Sequence, residues 1–196
     1  MTSAAATPNA EALLQRLARP APALTAFVEV RYSDVLSEPL VSRGELSFSA
    51  ADQLGKRVDS PFQEHTVVNG ETVRIERADR KPMQFSLKRA PELRALLVGF
   101  SALLAGDEAA LRRHFAIVVV GDDAQWQIEL DPIDKRIRKR IRAITVFGSG
   151  NAPRCFLVDQ ADGDSSVMLV DAAASAALPK PLEQSAVLAI CKQRSG

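Results

Sequence analysis

The side chains able to do chemistry are few and scattered. His65 and His114 are the only histidines, and neither stands at a metal-ligand spacing from a second His, a Cys or a carboxylate motif. Asp122, Asp123, Asp162 and Asp164 suggest oxygen ligands for calcium, but they belong to the tight turns Gly121-Asp122-Asp123 and Asp162-Gly163-Asp164, and the EF-hand pattern is missing. No nucleophile elbow, phosphate loop or dinucleotide fingerprint occurs, and Gly148-Ser149-Gly150 reads as a turn. The expectation is a protein that is not an enzyme and holds neither cofactor nor metal. Cys155 and Cys191 form a disulfide in an oxidising compartment or stay as two buried thiols, and spacing alone does not decide.

One charge run stands out. Lys135, Arg136, Arg138, Lys139, Arg140 and Arg142 put six cations into eight residues, with Ile133, Ile137 and Ile141 every fourth position. A short helix there would show one apolar ridge with the basic groups fanned around it. It reads either as a solvated face or as a contact for an acidic partner or anionic lipid headgroups.

Elements must place these groups. A helix is expected over 9–18, capped by Asn9 and carrying Leu13, Leu14 and Leu17, and ended by Pro20 and Pro22. The period then changes to two, and six strands follow within 25–88, with Asn69-Gly70 marking a hairpin between two of them. A helical segment over 91–113 interrupts the strands. Leu93, Leu96, Leu97, Phe100, Leu103 and Leu104 share one face, and Ala95, Val98, Ala102 and Ala105 the other. Gly106 breaks it and Asp107 caps a short second piece. Five more strands lie within 115–171, and 173–196 is an Ala- and Pro-rich tail with one apolar segment, Ala186 to Cys191. The expectation is a mainly β (α+β) fold forming a single domain over 1–196. Barrel, sandwich and open sheet all fit the strand list, and a helix apolar all round favours an open curved sheet that it can cover.

Leu46, Phe48, Val58, Val73, Ile75, Phe85, Leu87, Val118, Val120, Trp126, Ile128 and Leu130 alternate along the strands. They line either a filled core or an apolar cavity, which periodicity does not distinguish. The cavity reading takes Leu46, Phe48, Val73, Ile75, Phe85, Val118, Trp126 and Ile128 from the sheet, with Leu97, Phe100 and Leu104 from the covering helix. With 25 basic and 24 acidic residues in 196, a net charge of +1 argues against a nucleic-acid binder. The longest uncharged apolar run, Ala95 to Gly106, has 12 residues against the roughly 20 that cross a bilayer. Met1 to Ala10 has no leader pattern, as in a cytoplasmic protein or a chain whose leader has been removed.

The order of elements and several residues resemble the LolA family of periplasmic outer-membrane lipoprotein carriers, from Leu24 to about Val170. The resemblance rests on Phe27 and Glu29, on Gly44-Glu45-Leu46-Ser47-Phe48, on Pro61 followed by Val67-Val68-Asn69-Gly70-Glu71-Thr72-Val73, and on Leu130-Asp131-Pro132. It implies an unclosed antiparallel β-barrel of about eleven strands with an α-helical lid over an apolar cavity. It also implies a monomer in the periplasm with its leader removed, a lipid or acylated cargo, an inner-membrane transporter and an outer-membrane acceptor. In that compartment Cys155 and Cys191 would be bonded. The chain departs from the family where Ala50, Ala51 and Asp52 replace a basic residue and proline, and where Val73-Arg74-Ile75-Glu76-Arg77 replaces an aromatic-rich strand. Those departures point to a divergent subfamily carrying a glycolipid or aryl polyene-type conjugate instead of a lipoprotein. The alternatives are a LolB-like receptor, which would need an N-terminal lipidation cysteine that this chain does not show, and a non-catalytic β-scaffold binding a protein through the basic segment.

Overall fold

The structure is a computed structural model, and residues 9–50 and 53–193 are described. Of the positions named above, residues 1–8, Ala51, Asp52 and 194–196 lie outside the described residues, as do the side chains of Ala95 and Leu96. Helix α1 (Ala10–Leu17) begins where the Asn9 side chain accepts the Glu11 N–H at 3.1 Å, and it buries Leu13, Leu14 and Leu17. Six strands follow: β1 (Ala23–Tyr32), β2 (Leu40–Ala50), β3 (Gln53–Ser60), β4 (Glu64–Asn69), β5 (Thr72–Arg77) and β6 (Arg80–Ser86). Helices α2 (Pro91–Ala105) and α3 (Glu108–Arg112) come next, separated by Gly106 at φ +68°. Then come β7 (Phe115–Asp122), β8 (Gln125–Pro132), α4 (Lys135–Arg138), β9 (Ile141–Ser149), β10 (Ala152–Gln160) and β11 (Ser165–Val170). The apolar part of the tail is a helix, α5 (Gln184–Cys191), which the Ala- and Pro-rich composition around it concealed.

All eleven strands form one antiparallel sheet in the order β6-β5-β4-β3-β2-β1-β11-β10-β9-β8-β7, so β6 and β7 are its free edges. The Asn69-Gly70 hairpin is present with its turn one residue later than the dipeptide suggests. Asn69 pairs with Thr72, which leaves Gly70 (φ +56°) and Glu71 as the central residues. Only a residue free to take positive φ can open such a turn without steric cost.

The sheet curls around α2. Leu97 packs in a cluster with Val68, Val73 and Phe85 of β4 to β6, whereas the Phe100 ring meets Phe156 of β10. Residues three apart on a helix are neighbours, roughly 5–6 Å between Cβ atoms, yet β5 and β10 in a flat sheet would stand about 29 Å apart at the usual spacing. Only a trough closed most of the way round brings both to one helix. Its inner face carries α1 and α2, with Phe27, Phe115, Trp126, Ile128 and Leu130 in one core. Its outer face carries α5, whose Val187 and Ile190 cover Val28, Val30, Val167 and Leu169.

Candidate functional site beneath helix α2

Register decides which residues share the inner face. One row crosses the hairpins as Phe48, Leu54, Val68, Val73 and Phe85, and the next as Leu46, Lys56, Thr66, Ile75 and Met83. On the other wall Ile128, Val146 and Phe156 lie in line. Of the residues expected to line a cavity, Val73, Ile75, Phe85 and Leu97 form one cluster, and Leu46, Phe100, Trp126 and Ile128 belong to another. Phe48 is buried in the first row, and Leu104 is half-buried with its carbonyl accepting the Arg19 N–H at 2.8 Å.

Val118 does not belong to this set. Its neighbours Ile117 and Val119 pack into the inner core, and the strand's alternation turns Val118 outward, 49 % exposed beside Val120. An uninterrupted apolar run such as Ile117 to Val120 carries no phase, so the sequence does not say which alternate pair faces in. The inner wall also includes Ile144, Val146 and Phe156, which alternation in β9 and β10 would have yielded had the phase been known, and Leu103 of α2 packs against them. Trp126 is fixed at the far end: its indole N–H donates to the Gly150 carbonyl at 2.9 Å, and a Cβ on Gly148 would fall about 2.1 Å from its ring. Gly148 is therefore a packing requirement of Trp126.

Among the described residues, the space between α2 and this wall is nearly filled at Phe100 and Leu103. An apolar gap of about 10 Å³ remains, bounded by Gly99, Phe100, Leu103, Leu130, Val146 and Phe156, at the lower limit for one water molecule. Larger hollows of about 520 and 610 Å³ are open surface features, one beside α1 and one on the outer side of β4 to β6 at His65.

A polar island interrupts the apolar lining. Glu29, 8 % exposed, accepts from Lys56 Nζ at 2.6 Å and from the Ser42 hydroxyl at 3.5 Å, and Lys56 lies 5.0 Å from the centre of the Phe27 ring. The β-bulge at Arg43/Gly44 makes Gly44 obligatory, since a Cβ there would meet the Arg57 carbonyl. Glu29 belongs to the motif of the sequence resemblance, but its partner on β3 is set by register alone.

The basic segment forms the short helix α4, capped by Asp134, with Ile137 and Ile141 buried. Ile133 is 52 % exposed and stands outside the expected ridge. The six cations are exposed, and among the described residues only Arg136 makes an ion pair, with Asp134 at 3.4 Å. Burial pushes the nearby Asp159 carboxyl above its usual range, against an opposing pull from Arg142.

The remaining polar candidates have local roles. Asp122 accepts the Ala124 and Gln125 N–H groups in the β7–β8 turn, Asp123 pairs with Arg16 of α1 at 2.7 Å, and Asp162 accepts from Asp164 N–H. His65 is exposed, while His114 is held below the usual imidazole range by burial and by Arg113 and Arg94. Among the described residues no three His, Cys, Asp or Glu side chains gather as a metal site, and no helix is long and apolar enough to cross a membrane. Cys155 and Cys191 are joined, with Cα atoms 5.5 Å apart, fixing α5 to β10.

Among solved structures, a LolA superfamily protein from Nitrosomonas europaea is similar at 12 % identity and a TM-score of 0.45, over 85 % of this chain and 92 % of that one. LprF from Mycobacterium bovis is similar at 13 % identity and a TM-score of 0.36, over 90 % of this chain and 99 % of that one. No curated protein matches in sequence. A family model described as outer membrane lipoprotein carrier protein LolA-like matches residues 2–194. The chain thus belongs to the LolA-like family of outer membrane lipoprotein carrier proteins, a family of carriers that are typically non-catalytic.

Proposed function

We propose that this protein is a periplasmic carrier that holds the acyl chain of a lipid or acylated cargo against the inner face of the sheet, in the place α2 occupies here. The observation that carries the reading is α2 itself, an apolar helix whose Leu93 and Leu97 reach one wall of the trough and whose Phe100 reaches the other. A ligand site needs roughly 300 Å³ or more, so cargo enters by displacing the helix.

The energies are of the right order for exchange. Uncovering the buried Leu103 costs roughly 1.5–3 kcal/mol and the half-buried Leu93, Leu97 and Phe100 somewhat less each, and burying twelve methylenes returns about 10 kcal/mol. A carrier built this way binds and releases cargo with little net driving force and needs no nucleotide. The cargo is a lipoprotein or, given the departures from the family pattern, a glycolipid or aryl polyene-type conjugate. It passes from an inner-membrane transporter to an outer-membrane acceptor. The exposed cations of Lys135 to Arg142, of which only Arg136 is ion-paired among the described residues, form the contact with anionic headgroups or a membrane partner. The disulfide supports an oxidising compartment.

The 10 Å³ gap favours one competing reading, a non-catalytic β-scaffold with a filled core that binds a protein through the basic segment. Titrating delipidated protein with an acyl ligand while following Trp126 fluorescence separates the two. Saturable quenching with lipid recovered by native mass spectrometry supports the carrier, and no uptake under any condition leaves the scaffold.

A further inference from the structure

We propose that Glu29, Lys56 and Ser42 form a polar subsite on the inner face that receives an uncharged, hydrogen-bonding head group of the cargo; this rests on the carrier reading above.

The pair borders the apolar rows of the inner face. Lys56 sits in a row between Leu46 and Thr66, beside the apolar row of Phe48, Leu54 and Val68, and Glu29 stands beyond Phe27. To meet, the Lys56 side chain reaches from β3 across β2 to β1 and lies over the Phe27 ring. The Lys56 side chain keeps 28 % of its surface exposed and that of Glu29 keeps 10 %, so the pair opens to water on one side and adjoins the core on the other.

Stability does not account for it. A buried ion pair is often matched or exceeded by apolar residues of similar volume, because desolvation offsets the attraction. What the pair supplies is hydrogen-bonding capacity of both signs. Lys56 uses one of its three donors on Glu29 Oε2, and among the described residues its other two donors and Glu29 Oε1 make no hydrogen bond. The neighbouring Arg77 is likewise matched by carboxylates, 3.1 Å from Asp79 and 3.8 Å from Glu64, and lies 4.4 Å from the Phe62 ring centre. A charged head would be drawn to one member and repelled by the other. Hydroxyl or amide groups, which donate and accept, satisfy both.

The test uses four dodecyl probes differing only in the head: 1-O-dodecylglycerol, dodecyl maltoside, dodecyl phosphate and dodecyltrimethylammonium. Each is titrated below its micelle concentration to displace the neutral dye N-phenyl-1-naphthylamine from the full chain. One or two net hydrogen bonds predict about tenfold tighter binding of an uncharged probe than of either charged one, and the glyceryl and maltosyl arms tell which source of hydroxyls fits. The double variant Glu29→Leu, Lys56→Met should bind all four within about twofold. Glu29→Gln should swing the preference to dodecyl phosphate and Lys56→Gln to dodecyltrimethylammonium, a reversal that a merely structural pair would not produce. Absence of head selectivity in the wild type, or its survival in all three variants, overturns the subsite and leaves the carrier reading standing. If the wild type takes up neither dye nor probe, the carrier reading falls and the subsite with it.

Discussion

The rings of Phe100 on α2 and Phe156 on β10 stand 4.9 Å between centroids and 60° between planes. This tilted contact joins α2 to the far wall of the trough, and aromatic pairs in such geometry contribute about 0.5–1.5 kcal/mol beyond the area they bury. Gly99 beside it lets Phe115 approach, since a Cβ there would stand about 3.0 Å from that ring. The middle of α2 is thus fastened to the wall that the carrier reading requires it to leave.

Removing that fastening should loosen the lid without unfolding the sheet. Phe156→Ala, at a buried position, is expected to cost about 4 kcal/mol, and Phe100→Ala, at a half-buried one, about 2–3 kcal/mol, by urea denaturation. Phe100→Ala should also raise the uptake of a neutral apolar dye. A cost below about 1 kcal/mol with unchanged uptake would mean that the contact does not hold the lid.

Locking the lid should block binding. Leu97 and Phe85 belong to one apolar cluster, so cysteines at both positions are within reach of a short bifunctional thiol reagent. The bridged Leu97→Cys, Phe85→Cys protein is expected to lose acyl uptake while its unbridged form keeps it. Equal uptake by the two would place the cargo elsewhere.

The basic segment should act at surfaces and leave the core alone. Replacing Arg138, Lys139 and Arg140 with Ser is expected to slow association with anionic liposomes and to weaken its dependence on salt, since exposed charges are screened beyond about 8 Å at physiological ionic strength. Cargo affinity and thermal stability should stay nearly unchanged. A large loss of stability would instead assign these residues a structural role.

The disulfide closes 36 residues of chain, and in the chain-entropy model it stabilises by about 4 kcal/mol. Cys155→Ser, Cys191→Ser should lower stability by that order and release α5 from the outer face, seen as faster amide exchange in Val187 to Cys191. Acyl uptake on the opposite face should persist. Two free thiols in protein purified from the periplasm under denaturing, non-reducing conditions would contradict the bond.

His114 gives the stability a pH dependence of known sign. Its folded-state pKa lies below the ordinary 6.5, chiefly through burial and further through Arg113 and Arg94. The unfolded chain therefore takes up this proton first, so the contribution is fully present above pH 6.5 and is lost as pH falls through the folded value. His114→Gln should flatten the fall in stability below pH 6.5 relative to wild type. Parallel curves for the two proteins would rule out the linkage.

Much of the architecture was legible in the residues. Asn9, Asp107 and Gly106 mark helix ends through side-chain capping and left-handed backbone, and Asn69-Gly70 marks a hairpin, because these are local preferences. Alternation told strands from helices and gave Phe48, Val73, Trp126 and Ile128 to apolar strand faces, where they are buried, and the all-round apolarity of α2 announced a helix buried on more than one side. Tertiary structure decided what alternation leaves without phase. It turned Val118 outward, brought Ile144, Val146 and Phe156 under the lid, and left Ile133 exposed while Ile137 and Ile141 were buried. It also brought Lys56 to Glu29 and Cys191 to Cys155, residues far apart in the chain. Such contacts depend on strand register and on the curl of the whole sheet, and the free energy that fixes those comes from packing α1, α2 and α5 on its two faces.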